Sequence, residues 1–216
     1  KPTERKRSVR TPNRSNPVRF DPDTHRYFVG DREVAYPTLI MKEAGLLGSV
    51  SAFFTPEARD RGTRVHRACE AWDRGEPATL PDEEQGYLKS YTEWLALVGD
   101  VKWTIIETPG YSEKYDIAGT ADRIGFLAGQ PVVLDLKSGG PASWHGLQLA
   151  FYDLIFSDQK TPPLMRRRIV LYLQQSGNTA QSVTYTDFAD YQTVMRLLNA
   201  RKETHGKHRA RRTNAD

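Results

Sequence analysis

A mixed α/β domain, with helices covering a short central sheet, is the fold class that this sequence predicts. Three observations carry it. Apolar segments of strand length lie at 102–108, 116–126 and 131–137, divided by turn-forming Pro109-Gly110 and Ala128-Gly129. Apolar residues recur at helical spacing over 81–98 and 142–156. Pro131-Val132-Val133-Leu134 is apolar on both faces, which places it in the middle of a covered sheet.

The remaining elements follow in chain order. Residues 25–40 read as a small hairpin, with His25-Arg26-Tyr27-Phe28-Val29, a turn at Gly30-Asp31, then Glu33-Val34-Ala35-Tyr36. Thr55 is a helix cap with Pro56 at the first helical position, and that helix runs to about Trp72. Asp82-Glu83-Glu84 suit the positive N-terminus of the next helix, 81–98, which carries Tyr87, Leu88, Tyr91, Trp94 and Leu95. After the helix at 142–156, segments 168–173 and 182–185 form a second hairpin around Gly177-Asn178. Asp187 caps a last helix through Leu198.

A chain of 216 residues is long enough for one domain with a real core. The lone Cys69 excludes an intramolecular disulfide framework, a four-cysteine zinc site and a cysteine-ligated iron–sulfur cluster within this chain, and suggests a reducing, cytoplasmic setting. No apolar run approaches the roughly 20 residues that span a bilayer, and the basic, polar start does not read as a secretory signal. The net charge of +4 hides an asymmetry: residues 1–19 hold seven Lys/Arg against one acid, and residues 201–216 hold six against two. The ends therefore carry ten net positive charges and the body, 20–200, six net negative ones. This divides the chain into a basic arm (1–19), a single domain (20–200) and a basic tail (201–216). It suits mobile arms that hold a polyanion while the body uses carboxylates.

The chemistry concentrates around Ala128-Gly129. If the hairpin closes with a two-residue turn at 128–129, or a four-residue loop at 127–130, Asp122 lies opposite Asp135. The strand period of two puts Lys137 on the same face. Two carboxylates so close call for compensation, which an oxygen-loving divalent cation such as magnesium or manganese supplies. Ordinary ion pairs on a sheet edge are the bland alternative. His66 and Glu70 sit four apart on one helical face and can serve one metal, or simply share a hydrogen bond. Gln148 and Tyr152, also four apart, can orient a phosphate or a base, or pack at a helix edge.

Taken in order, Gly62…His66…Glu70, Gly119-Thr120-Ala121-Asp122, Val133-Leu134-Asp135-Leu136-Lys137 and Gln148…Tyr152 resemble the RecB-like nucleases of the PD-(D/E)XK superfamily. The resemblance spans about 25–155 and implies a restriction-endonuclease-like core, in a stand-alone phage or bacterial member without an iron–sulfur cluster. It implies that Asp122, Asp135, the Leu136 carbonyl and His66 hold Mg2+ or Mn2+, and that Glu70 reaches a second ion or its water. Lys137 then orients the attacking water or stabilises transition-state charge, and Gln148 and Tyr152 position the strand. The implied activity is a metal-dependent deoxyribonuclease, an exonuclease of recombination, repair or phage DNA metabolism. The alternatives are an inactive nucleic-acid-binding adaptor on the same scaffold and an enzyme acting on a smaller phosphate ester. The chain has no Gly-x-x-x-x-Gly-Lys loop, so an unwinding motor would be a separate helicase or recombination protein. Arg166-Arg167-Arg168 and the basic ends are expected to contact phosphates without reading sequence. If the tail does so, deleting 201–216 will flatten the fall of DNA affinity with salt; an unchanged slope removes the tail from this account.

Overall fold

Two β-sheets organise the computed structural model, which describes residues 18–48, 55–157 and 166–213, with side chains of the last helix described up to 204. The smaller is an antiparallel meander of β1 (Val18–Asp21), β2 (Arg26–Val29) and β3 (Arg32–Val34). Phe20 stands opposite Tyr27, and this face packs with Val34 on Ala118 of the larger sheet. Helices α1 (Pro37–Glu43) and α2 (Pro56–Asp73) follow. Thr55 caps α2 by accepting the Ala58 N–H at 3.1 Å, and Pro56 occupies the first helical turn, where a missing N–H costs nothing. A 3-10 turn at Asp82–Glu84 leads into α3 (Gln85–Val98).

The larger sheet comprises β4 (Val101–Ser112), β5 (Ile117–Leu127), β6 (Gln130–Lys137), β7 (Arg167–Tyr172) and β8 (Gln181–Tyr185), in that spatial order. Only β6 and β7 are parallel, and α4 (His145–Ser157) makes the crossover between them. The chain ends in α5 (Ala189–Thr213). Side-chain alternation on β6 creates the layers: Val133 joins the core beneath α1, α4 and α5, whereas Val132, Leu134 and Leu136 join the core beneath α2 and α3. The run apolar on both faces is thus the covered centre of a mixed α/β sandwich. No helix among the described residues is long and apolar enough to cross a membrane.

Four expectations need correction. Pro109-Gly110 is not a turn but lies inside β4, where Gly110 pairs with Gly119 and lets the Phe156 ring of α4 approach the strand. The hairpin at 25–40 stops at Val34, because Pro37 opens α1 instead, and β1 adds a third strand. The last helix continues past Leu198 to Thr213, so most of segment 201–216 is helical. The arginine triplet expected to contact phosphates is largely engaged within the fold: Arg168 is buried, donating to Asp190 at 2.7 Å and to the Gly146 and Asp187 carbonyls, and Arg166 pairs with Asp153 at 2.6 Å. Only Arg167 stays exposed to meet a phosphate. Residues 1–17 of the expected basic arm, and 214–216, lie outside the described residues.

A Cβ at position 110 would stand 2.6 Å from two Phe156 ring atoms. Gly110→Val should therefore destabilise the fold by about 1–3 kcal/mol through overpacking, read as a lower urea midpoint. An unchanged midpoint would show that α4 yields freely at this contact.

Candidate metal centre

Strands β5 and β6 turn through Ala128 and Gly129, both at positive φ, which is the two-residue closure that aligns Leu127 with Gln130. Pairing continues to Arg123↔Leu134. The next residues are Asp122 and Asp135. Here the Asp122 carboxylate accepts the Leu136 N–H at 2.6 Å, taking the place of a main-chain acceptor. Helix α2 crosses this end of the sheet and presents His66. Its Nε2 lies 3.0 Å from the Leu136 carbonyl oxygen, and its Nδ1 lies 3.2 Å from Glu107 Oε1 and 3.6 Å from Asp122 Oδ2.

Glu107 comes from β4, which carries a bulge between Trp103 and Ile105. It falls between the pairs Ile106↔Arg123 and Thr108↔Ala121, the step that Asp122 occupies on β5, and its φ of 43° is left-handed. His66, Glu107 and Asp122 each offer a ligand atom, all within 4.8 Å of one another, so this group could hold a metal ion. Glu107 was not among the expected residues. A turn at Pro109-Gly110 would end the strand at 108, whereas the observed pairing runs on through Gly110↔Gly119 and sets residue 107 beside Asp122.

Asp135 and Lys137 complete the acidic end of β6, with Lys137 Nζ 2.5 Å from Asp135 Oδ2 and 5.8 Å from the Trp144 ring centre. Burial pushes the Asp135 carboxyl up; Lys137 opposes this and the Asp122 charge adds to it. Burial likewise raises Asp122, against the pull of His66. At His66 burial disfavours the charge, but Asp122 and Glu107 outweigh it, with Lys137 opposing them, and the pKa rises to about 9. The imidazolium can then donate from both nitrogens, matching its acceptors.

The structure brings His66, Asp122, the Leu136 carbonyl, Asp135 and Lys137 to one strand end. Gln148 and Tyr152 lie buried nearby, with Gln148 Nε2 donating to the Tyr152 hydroxyl at 2.9 Å. Burial lifts the Tyr152 pKa, and Asp135, Tyr27 and Asp122 lift it further. Glu70 is not drawn in: it accepts from Arg74 at 2.9 Å, one turn along α2. No protein-family model matches the chain, and no curated protein matches it.

Because the His66 pKa is raised on folding, its contribution to stability is full below pH 6.5 and is lost as pH rises through about 9. In chelator, the unfolding free energy should fall across that window. His66→Gln should flatten this segment of the urea-derived profile; equal slopes in both proteins would contradict the raised pKa.

Proposed function

We propose that this chain is a divalent-metal-dependent deoxyribonuclease on a restriction-endonuclease-like core, as its resemblance to the RecB-like nucleases implies. The observation that carries this reading is the meeting of His66, Glu107, Asp122, Asp135 and Lys137 where β5 and β6 part. The donor set fits a hard cation: carboxylate oxygens, one main-chain carbonyl and one imidazole. Charge supports it too. Among the described residues, the neighbouring carboxylates Asp73, Glu107, Asp122 and Asp135 share two lasting cations: Arg123, paired with Asp73 and Glu107, and Lys137, paired with Asp135 and acting on Asp122 through its charge. With His66 neutral, two negative charges remain, the complement of one divalent ion.

His66, Glu107, Asp122, Asp135 and the Leu136 carbonyl would hold Mg2+ or Mn2+. Bound there, such an ion supplies neutralisation of the scissile phosphate and a water of lowered pKa. Lys137, a fifth exposed beside Asp135, presents an ammonium group to the charge that builds on the phosphate oxygens. Tyr152 and Gln148 form the wall beside Asp122 and Asp135 against which a substrate strand rests. The ten net positive charges of the two ends favour a polyanion over a small phosphate ester. Exonucleolytic action in DNA recombination, repair or phage DNA metabolism fits this best. The chain would act in the cytoplasm, with unwinding left to a separate helicase.

The test is end-labelled single- and double-stranded DNA with Mg2+, Mn2+ or chelator, using the unaltered chain, Asp135→Ala and Lys137→Ala. Degradation should require a divalent ion and fall at least about a hundredfold in both variants, with Mn2+ matching or exceeding Mg2+ because of the imidazole ligand. DNA binding without product under every condition would overturn the reading.

A further inference from the structure

The guanidinium of Arg123 has no exposed surface, although its strand neighbour Ile124 and cross-strand partner Leu134 are apolar core residues. Burying such a charge costs several kcal/mol before its partners respond, and well-packed apolar residues often serve stability as well as a buried ion pair. Stability alone is therefore a weak reason for an arginine here. Its contacts suggest a better one. Nε donates to Asp73 Oδ2 at 2.6 Å, and the same oxygen accepts the Tyr91 hydroxyl at 2.8 Å. Asp73 is the last residue of α2, the helix that carries His66. From this brace, Nη1 reaches two atoms of the candidate metal centre: Glu107 Oε1 at 3.1 Å and the Asp122 main-chain carbonyl at 2.7 Å.

Glu107 needs such a hold. Its left-handed backbone costs a non-glycine residue roughly 1 kcal/mol or more, and its side chain is only 18% exposed beside Asp122. Like charges at this distance push apart unless something fixes them. We propose that Arg123 is a positioning residue of the metal centre: braced by Asp73, it holds the Glu107 carboxylate and the Asp122 main chain at the spacing that lets Glu107 join His66 and Asp122 as a ligand. The planar fork of arginine suits this, because Nε and Nη1 can serve Asp73 and Glu107 at once, whereas the single ammonium of lysine cannot span both.

This inference rests on the metal-centre part of the proposed function, so the test reads metal binding rather than nuclease activity. The full chain, free of DNA, is titrated with Mn2+ and free ion is followed by electron paramagnetic resonance, with folding checked by thermal denaturation. Glu107→Gln, Arg123→Lys and Asp73→Asn should each weaken Mn2+ binding about tenfold or more, the size of effect expected when the support of a ligand is removed. The double variant Arg123→Lys with Glu107→Gln should bind no more weakly than Glu107→Gln alone, since the arginine acts through the glutamate. If Arg123→Lys does not fold, Asp73→Asn, which touches no candidate ligand, decides the matter. Variants that melt lower yet bind Mn2+ like the unaltered chain, or losses that multiply in the double variant, would overturn the positioning role while leaving the metal centre standing. No Mn2+ binding by the unaltered chain would overturn both.

Discussion

Beyond Arg123 and Leu134, the strands β5 and β6 no longer share a ladder, and the Asp122 carboxylate accepts the Leu136 N–H at 2.6 Å instead. Buried N–H groups must find an acceptor, so a side chain here both satisfies the backbone and holds the strands at their parting. Several features depend on that exchange. The Leu136 carbonyl faces His66, Asp122 has a fixed orientation beside the imidazole, and Asp135 and Lys137 project from the same strand end. Neighbouring β7 stays paired in parallel with β6 through Lys137↔Tyr172, so the opening is confined to the β5 side.

Such a site is electrostatically costly without a cation. Burial raises the carboxyls of Asp122 and Asp135, and His66 becomes charged in answer to Asp122 and Glu107. In this state the imidazolium stands where positive charge is wanted. The buried set of Arg123, Asp73 and Tyr91 belongs to the same balance, tying the end of α2 to β5 from below the centre. The two sides of the sheet thus divide the labour. The face under α2 and α3 supplies the brace, and the end of the sheet supplies the donors.

Much of this was legible in the sequence. Asp122 and Asp135 align because the Ala128-Gly129 turn sets an even register, and Lys137 follows from the period of two. The Thr55-Pro56 start, the covered β6 run and the pairing of β7 with β8 follow from cap chemistry, apolar continuity and turn residues. Glu107 was hidden because Pro-Gly reads as a turn, whereas here Gly110 pairs with Gly119 inside a longer strand and leaves room for the Phe156 ring. The roles of Glu70 and of the arginines were equally hidden. Glu70 has two candidates at helical spacing, His66 four residues before it and Arg74 four residues after, and spacing alone does not choose between them; the arginines of a like-charged run find their partners only when the elements pack, Asp153 for Arg166 and Asp190 for Arg168.

By itself the sequence determined the mixed α/β class, the turn that aligns the two aspartates, and the presence of a histidine on a helix long enough to reach them. These are local or period-based properties, written in spacings of two and four residues and in single cap and turn residues. Only the tertiary structure decided that Glu107 rather than Glu70 joins His66, that Arg123 stands beneath the centre, and where α2 crosses the sheet. Those outcomes depend on a bulge in β4, a side chain substituting in a ladder, and contacts between residues 16 to 70 positions apart. Spacing along the chain cannot encode them, because the energy that selects them arises only when the layers close.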